Sequence, residues 1–259
     1  QYDAGIIPSS GERPNARPIT GVLSLHLRLQ RGQTIGWTIG MFLGGLAFGS
    51  MTKSLLDAAK DNELLARVLD AQGNDGVYTT MTQFLAAAAT SYVVTAVMRV
   101  WGDEQSGLGE AVLAGAVSRR RWLFTAVASA LTGSAVLMFF AGIGNGLGAG
   151  ITLGEPWTIV KLTLAGLAFV PSMAVVAGIA ALAVAMRHAW ISWLAVTFIV
   201  ASLYLGALLR LPKWLIDLSP VGRTTAPSDV PVIALIVMVV VAAALTLLAG
   251  AIYRHRDAL

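Results

Sequence analysis

Residues 162–209 read LTLAGLAFVPSMAVVAGIAALAVAMRHAWISWLAVTFIVASLYLGALL, with Arg187 as the one Asp, Glu, Lys or Arg in the stretch. A helix needs about 20 apolar residues to cross roughly 30 Å of hydrocarbon. The stretch therefore holds two crossings, joined by a very short turn at Arg187–His188. Pro171 falls inside the first crossing and is expected to kink it. Trp190 and Trp193 begin the second, at the level where tryptophans anchor a helix to the membrane surface.

The same pattern extends outward in both directions. Asp, Glu, Lys and Arg are absent from 34–52, 78–98, 122–154, 162–186, 188–209 and 230–253. Six such stretches predict an all-α polytopic membrane protein, since an unsatisfied backbone is costly in lipid and a continuous helix avoids that cost. The spans are placed at about 34–53, 78–98, 122–143, 157–186, 190–207 and 231–253. A transmembrane barrel would instead show alternating segments of about ten residues.

Composition agrees. Of 259 residues, 12% are charged and 56% hydrophobic, against about 25% charged in an ordinary soluble domain. This excludes a soluble enzyme and a disordered chain. There is no cysteine, hence no disulfide framework, thiolate metal site or cysteine nucleophile. The net charge of +4 is explained by basic residues flanking the spans rather than by nucleic acid.

Between the spans the chain divides as follows. Residues 1–18 hold three of the nine prolines and read as a linker, suggesting that the polypeptide continues before residue 1. Residues 19–33 alternate Leu23, Leu25, Leu27 and Leu29 with polar positions, and are expected to form an interfacial helix with Arg28 and Arg31 at the head groups. Gly36, Gly40 and Gly44 recur every four residues in span one, a spacing that lets a second helix approach closely. Gly45 and Gly49 form a further pair.

Span two carries Gln83, Thr90 and Ser91 near one face, either for helix packing or to line a pathway. Glycine is dense in 142–154, so span three is expected to end near 143 and give way to a flexible turn. A dinucleotide-binding reading of these glycines lacks its strand and its helix. Residues 208–230 contain three prolines and are too charged to span, which suggests an external re-entrant segment. Residues 254–259 form a tail.

With six spans both ends lie on one side. That side holds 11 of the 18 Lys and Arg residues, which places both termini in the cytoplasm of a cell membrane. The spans contain no charged relay of the sort that proton-driven transporters use. There is no catalytic constellation, metal site or phosphate-binding loop of the P-loop kind. Any transport would have to draw energy from a cytoplasmic partner, for which the connector 99–121 is the best docking surface.

Four segments carry a resemblance. RLQRGQTIGW (28–37), GDEQSGLGEAVLAGAVSRRRW (102–122), LSPVGRTTAP (218–227) and YRHRD (253–257) resemble, in order, ABC exporter permeases of the second type, and most closely their actinobacterial antibiotic and multidrug subgroup. The likeness covers nearly the whole chain. It implies a permease subunit that moves hydrophobic or amphiphilic compounds outward and is not itself an enzyme. ATP and Mg would be held by separate ABC ATPase subunits, and this chain would bind no cofactor. Tyr2-Asp3-Ala4-Gly5 looks like the junction between two six-helix halves, which makes this chain the second half. A homodimer is the other arrangement.

By the same resemblance, residues 103–115 form the coupling helix, with Asp103, Glu104, Gly107, Glu110 and Leu113 near Arg119. Spans one, two and five line the pathway, with Phe42, Gln83, Thr90, Ser91 and Phe198 as lining candidates. A membrane scaffold or immunity protein without transport is the alternative reading, and a lipid-modifying membrane enzyme a third.

Overall fold

The computed structural model describes residues 21–62, 74–106, 117–206, 212–216 and 218–255. Among them are eight helices and no strand: α1 (Val22–Asp61), α2 (Asn74–Gln105), α3 (Arg119–Leu153), α4 (Trp157–Leu167), α5 (Val170–Ala185), α6 (Ile191–Leu205), α7 (Lys213–Ile216) and α8 (Val232–Arg254). With α4 and α5 taken as one crossing, five helices are long and apolar enough to cross a membrane. The fifth expected span, α6, is a shorter apolar helix of 15 residues.

The expected interfacial helix and span one are a single element. α1 runs unbroken for 40 residues, about 60 Å at the α-helical rise. The polar side chains of 19–33 do not look toward head groups alone, because a neighbouring helix supplies partners. Gln30 Nε2 donates to the Ala96 carbonyl at 3.2 Å, and Gln33 Nε2 to Thr95 Oγ1 at 2.7 Å. Arg99 Nη1 donates to the Leu29 carbonyl at 3.0 Å, and the Thr34 and Tyr92 hydroxyls stand 2.9 Å apart. These bonds lay the first part of α1 along the second half of α2. His26 is buried, with its ring 4.2 Å from the Trp122 indole, which joins the start of α1 to the start of α3.

The expected flexible turn after residue 143 is also corrected. α3 continues to Leu153 and is capped at both ends. Ser118 Oγ accepts from the Arg121 amide at 3.3 Å, and Gly154 closes the helix with φ +74°. Glycine is a poor helix former in isolation, but these glycines are covered by neighbouring backbone. A Cβ on Gly144 would stand 3.0 Å from the Leu46 nitrogen, and one on Gly148 would stand 2.5 Å from the Ser50 nitrogen. A Cβ on Gly142 would lie 2.6 Å from the Leu162 oxygen, and one on Gly146 would lie 2.5 Å from the Ile159 Cα. One set faces α1 and the other faces α4. The dense glycine run is a helix clasped on two sides, and the closer packing and dispersion offset its poor propensity.

α3 is accordingly the central helix, touching α1, α2, α4, α5 and α8. The largest fully buried side chains (Trp122, Tyr92, Phe169, Leu137, Met138 and Met173 among them) gather around it. Span four is broken at Ala168–Phe169, so that Pro171 falls in the first turn of α5, where a missing amide costs nothing. The turn into α6 has Arg187 at φ +62°. The His188 amide reaches the Ala183 carbonyl at 2.9 Å and the Arg187 amide reaches Val184 at 3.1 Å, the paired bonds of a Schellman cap.

The segment before α8 is a strap bonded to α2 and α5. Gln83 Nε2 donates to the carbonyls of Gly222 at 3.3 Å and Thr224 at 3.1 Å. Ser172 Oγ donates to the Pro220 carbonyl at 2.9 Å and meets the Thr224 hydroxyl at the same distance. Thr79 bonds to Ser228. Ser219, Val221, Thr224 and Ala226 are buried by this docking.

Candidate functional site

Two regions emerge where the sequence reading placed function. The first is a groove of about 480 Å³ between α1, α2 and α6. One wall is the stripe Gly36, Gly40 and Gly44 with Trp37, Met41 and Phe48; the other is Phe84, Leu85, Ala88 and Tyr204. The Phe84 and Tyr204 rings are stacked, 4.6 Å apart and tilted by only 6°. Phe48 lies 6.3 Å from Phe84. Tyr204 is exposed, so this aromatic pair forms an accessible apolar surface. Flat ring faces beside bare backbone suit an apolar, planar molecule or a second helix, because neither surface imposes a hydrogen-bonding direction.

Among the described residues, nothing fills the close-packing role expected for Gly36, Gly40 and Gly44. A Cβ on Gly36 or Gly40 would meet nothing within 4 Å, and one on Gly44 would meet only Leu85 at 3.6 Å. The close approach uses the neighbouring pair instead. A Cβ on Gly45 would lie 2.9 Å from the Asn145 nitrogen, and one on Gly49 would lie 2.8 Å from the Ala149 nitrogen. The two sets are one residue apart, about 100° around the helix.

None of the five lining candidates borders this groove. Gln83 holds the strap that precedes α8. Thr90 is buried and bonds within its own helix, to the Ala87 carbonyl at 2.6 Å. Ser91 and Phe198 are half-buried. Phe42 is also half-buried, and its carbonyl sits against Gly144 of α3. The residues that do line the groove, Trp37, Phe48, Phe84 and Tyr204, were missed. Their signal was aromatics on either side of a glycine stripe.

The second region is the end of the bundle where α2 stops and α3 starts. Asp103 and Glu104 are half-buried in the last turn of α2, and Arg119 is half-buried in the first turn of α3. The Tyr253 hydroxyl, near the end of α8, donates to Glu104 Oε1. Ser106 Oγ donates to the Asp103 carbonyl at 3.2 Å. Gly107, Glu110 and Leu113 lie outside the described residues. Among the described residues no three His, Cys, Asp or Glu side chains converge to hold a metal ion.

Residues 19–254 match the family described as multidrug efflux system permease Rv1217c, C-terminal domain. The chain belongs to this family. The likeness to ABC exporter permeases read from its motifs agrees with that membership. A curated relative, the multidrug efflux system permease protein Rv1217c of Mycobacterium tuberculosis (strain ATCC 25618 / H37Rv), is 31% identical over 271 aligned residues. The alignment covers 98% of this chain and 48% of the relative, so the chain spans about half the length of that protein. Efflux-permease membership and five apolar helices of spanning length together make this a multi-pass membrane protein.

Proposed function

We propose that this chain is one membrane-crossing half of an exporter permease that moves hydrophobic or amphiphilic drug-like compounds out of the cell. In this reading it performs no hydrolysis. ATP and Mg are handled by separate ABC ATPase subunits that dock on the cytoplasmic connector around Asp103, Glu104, Gly107, Glu110, Leu113 and Arg119. Both ends of the segment face the cytoplasm. A second six-helix half completes the pathway by packing toward the open Gly36–Gly40–Gly44 stripe.

The observation that carries the reading is the aromatic groove itself, in a member of an efflux-permease family. Its lining is apolar, and the charge-free stretches on either side supply no charged proton relay. A groove of that kind selects by shape and apolar area, as an exporter of greasy compounds requires. The Tyr253–Glu104 bond supports the docking role, since it links the last helix to the edge where a motor would push.

The test is ATP-dependent uptake of a hydrophobic fluorescent dye into inverted vesicles or proteoliposomes containing the full permease with its ATPase. Phe84→Ala and Tyr204→Ala should lower dye uptake severalfold while assembly and basal ATPase rate stay unchanged. Glu110→Arg should remove dye-stimulated ATPase activity. Uptake that ignores both groove variants refutes the pathway assignment. A complete lack of ATP-dependent uptake favours the non-transporting scaffold.

A further inference from the structure

A second groove, sharing no lining residue with the first, runs along the central helix. It lies between α3, α5 and α8, measures about 440 Å³, and is bordered by Phe124, Ala128, Leu131, Ala174, Ala243 and Leu247. Thr246 also borders it, but its hydroxyl is already committed to the Ala242 carbonyl at 2.7 Å. The walls therefore present only hydrocarbon and one ring.

A cation stands beside Phe124 at one end of the groove. The Arg120 guanidinium sits over the Phe124 ring, 5.0 Å from its centroid. Gly250 of α8 admits this arrangement: a Cβ there would stand 2.6 Å from Phe124 Cε1 and 3.4 Å from Arg120 Cγ. Arg254 follows one turn later on α8, with its Nη2 3.1 Å from His255 Nε2. Arg120, Arg121 and Arg254 are all exposed at this end of the bundle. A guanidinium has five N–H donors and no acceptor, and a ring face occupies none of them in a directional bond.

The dimensions match one leaflet. From Arg120 to Leu131 the helix rises about 16 Å, close to half of the ~30 Å hydrocarbon core. A molecule with its anionic end on Arg120 and Arg254 would thus reach the bilayer midplane with its tail in the groove. We propose that this groove is an ordered binding site for an anionic phospholipid, its phosphate on the two arginines and one acyl chain between α3, α5 and α8. Charge complementarity favours this occupant over an apolar membrane-crossing helix, whose hydrocarbon side chains would leave the arginine end without an anion. Basic pockets between helices on the cytoplasmic side are suited to anionic head groups. The site is separate from the aromatic groove and does not depend on the transport reading.

The experiment is native mass spectrometry of the full-length purified permease, released from detergent after exposure to phosphatidylglycerol, phosphatidylcholine or inorganic phosphate. Phosphatidylglycerol should be retained in clear excess over phosphatidylcholine, and inorganic phosphate should not displace it. Arg120→Gln and Arg254→Gln should each lower that retention about fivefold. Ala243→Trp, at an exposed position on the groove rim, should abolish retention of the lipid while the unlipidated protein elutes and melts as the parent does. Equal retention of the two lipids overturns the proposal, as does displacement by inorganic phosphate or wild-type retention in the arginine variants. So does a disulfide-linked dimer formed by Leu247→Cys in this otherwise cysteine-free chain, which would show a second copy on the groove.

Discussion

Glycines at four-residue spacing line both the face of α3 that meets α1 (Gly144 and Gly148) and a face of α1 that meets no described residue (Gly36 and Gly40), so a single methyl group should have opposite effects on the two. In Gly148→Ala the new carbon would lie 2.5 Å from the Ser50 nitrogen, with the Leu46 carbonyl closer still, whereas ordinary contact begins at 3.4 Å. Both neighbours are backbone, so neither can rotate aside, and α1 must retreat by about 1 Å along this seam. Overpacking of that kind costs about 1–3 kcal/mol, against which alanine recovers at most ~1 kcal/mol of helix propensity. With both backbone contacts far inside that limit, a cost of about 2–3 kcal/mol is expected, so the net loss is about 1–2 kcal/mol, or roughly 2–8 °C in melting temperature for a chain of this size. Gly40→Ala meets no described residue within 4 Å, so the propensity gain stands alone and stability should hold or rise. The assay is thermal unfolding of the detergent-solubilised protein, followed by helical circular dichroism and by loss of the monodisperse elution peak. If Gly148→Ala melts with the parent, or Gly40→Ala is the more damaging change, the assignment of the packed face is refuted.

Other consequences are open to the same assays. Gln83→Leu leaves the Gly222 and Thr224 carbonyls without their donor, and should cost about 1–3 kcal/mol; hydrogen exchange should rise over residues 219–229 and stay low in α3. Tyr253→Phe removes the donor to a carboxylate, a bond class worth about 1.5–3 kcal/mol, and should lower melting temperature; Glu104→Gln alone, which keeps an acceptor for the Tyr253 hydroxyl, should lower it much less. Lys161→Met breaks the 2.5 Å pair with Asp75; both side chains are more than a third exposed, so a change below about 1 kcal/mol is expected, and a larger one would mean the pair is structural. Arg187→Gly relieves a left-handed residue and should stabilise by about 1 kcal/mol, readable as a higher melting temperature without change in helix content.

The all-α membrane fold and the order of its apolar helices were legible because a charge in hydrocarbon is so costly that a run of about 20 residues without one marks a segment built to sit there; of the six expected crossings, five are helices of spanning length and the fifth in order is shorter. What was not legible depended on neighbours. The glycines after residue 143 argue against a helix when each is taken alone, and for one when α1 and α4 lie against them. Spacing by four identifies both Gly36–Gly40–Gly44 and Gly45–Gly49, and only the fold decides which set touches α3. The polar positions in 22–33 suggested a membrane surface because Ala96, Thr95 and Tyr92, their partners, lie more than fifty residues away. The aromatic groove was hidden for a similar reason: Trp37, Phe84 and Tyr204 come from three helices, and no local pattern links them. Polar candidates such as Gln83 were better explained once the strap supplied acceptors.

The continuity of α1 has a mechanical meaning. An uninterrupted rod of about 60 Å moves as a lever: pivoting it by about ten degrees about its middle displaces each tip by about 5 Å, in opposite directions. The fourth crossing, interrupted at Ala168–Phe169, would instead absorb a push at its own joint. One bundle thus contains a stiff transmission and a compliant one, side by side on either flank of α3.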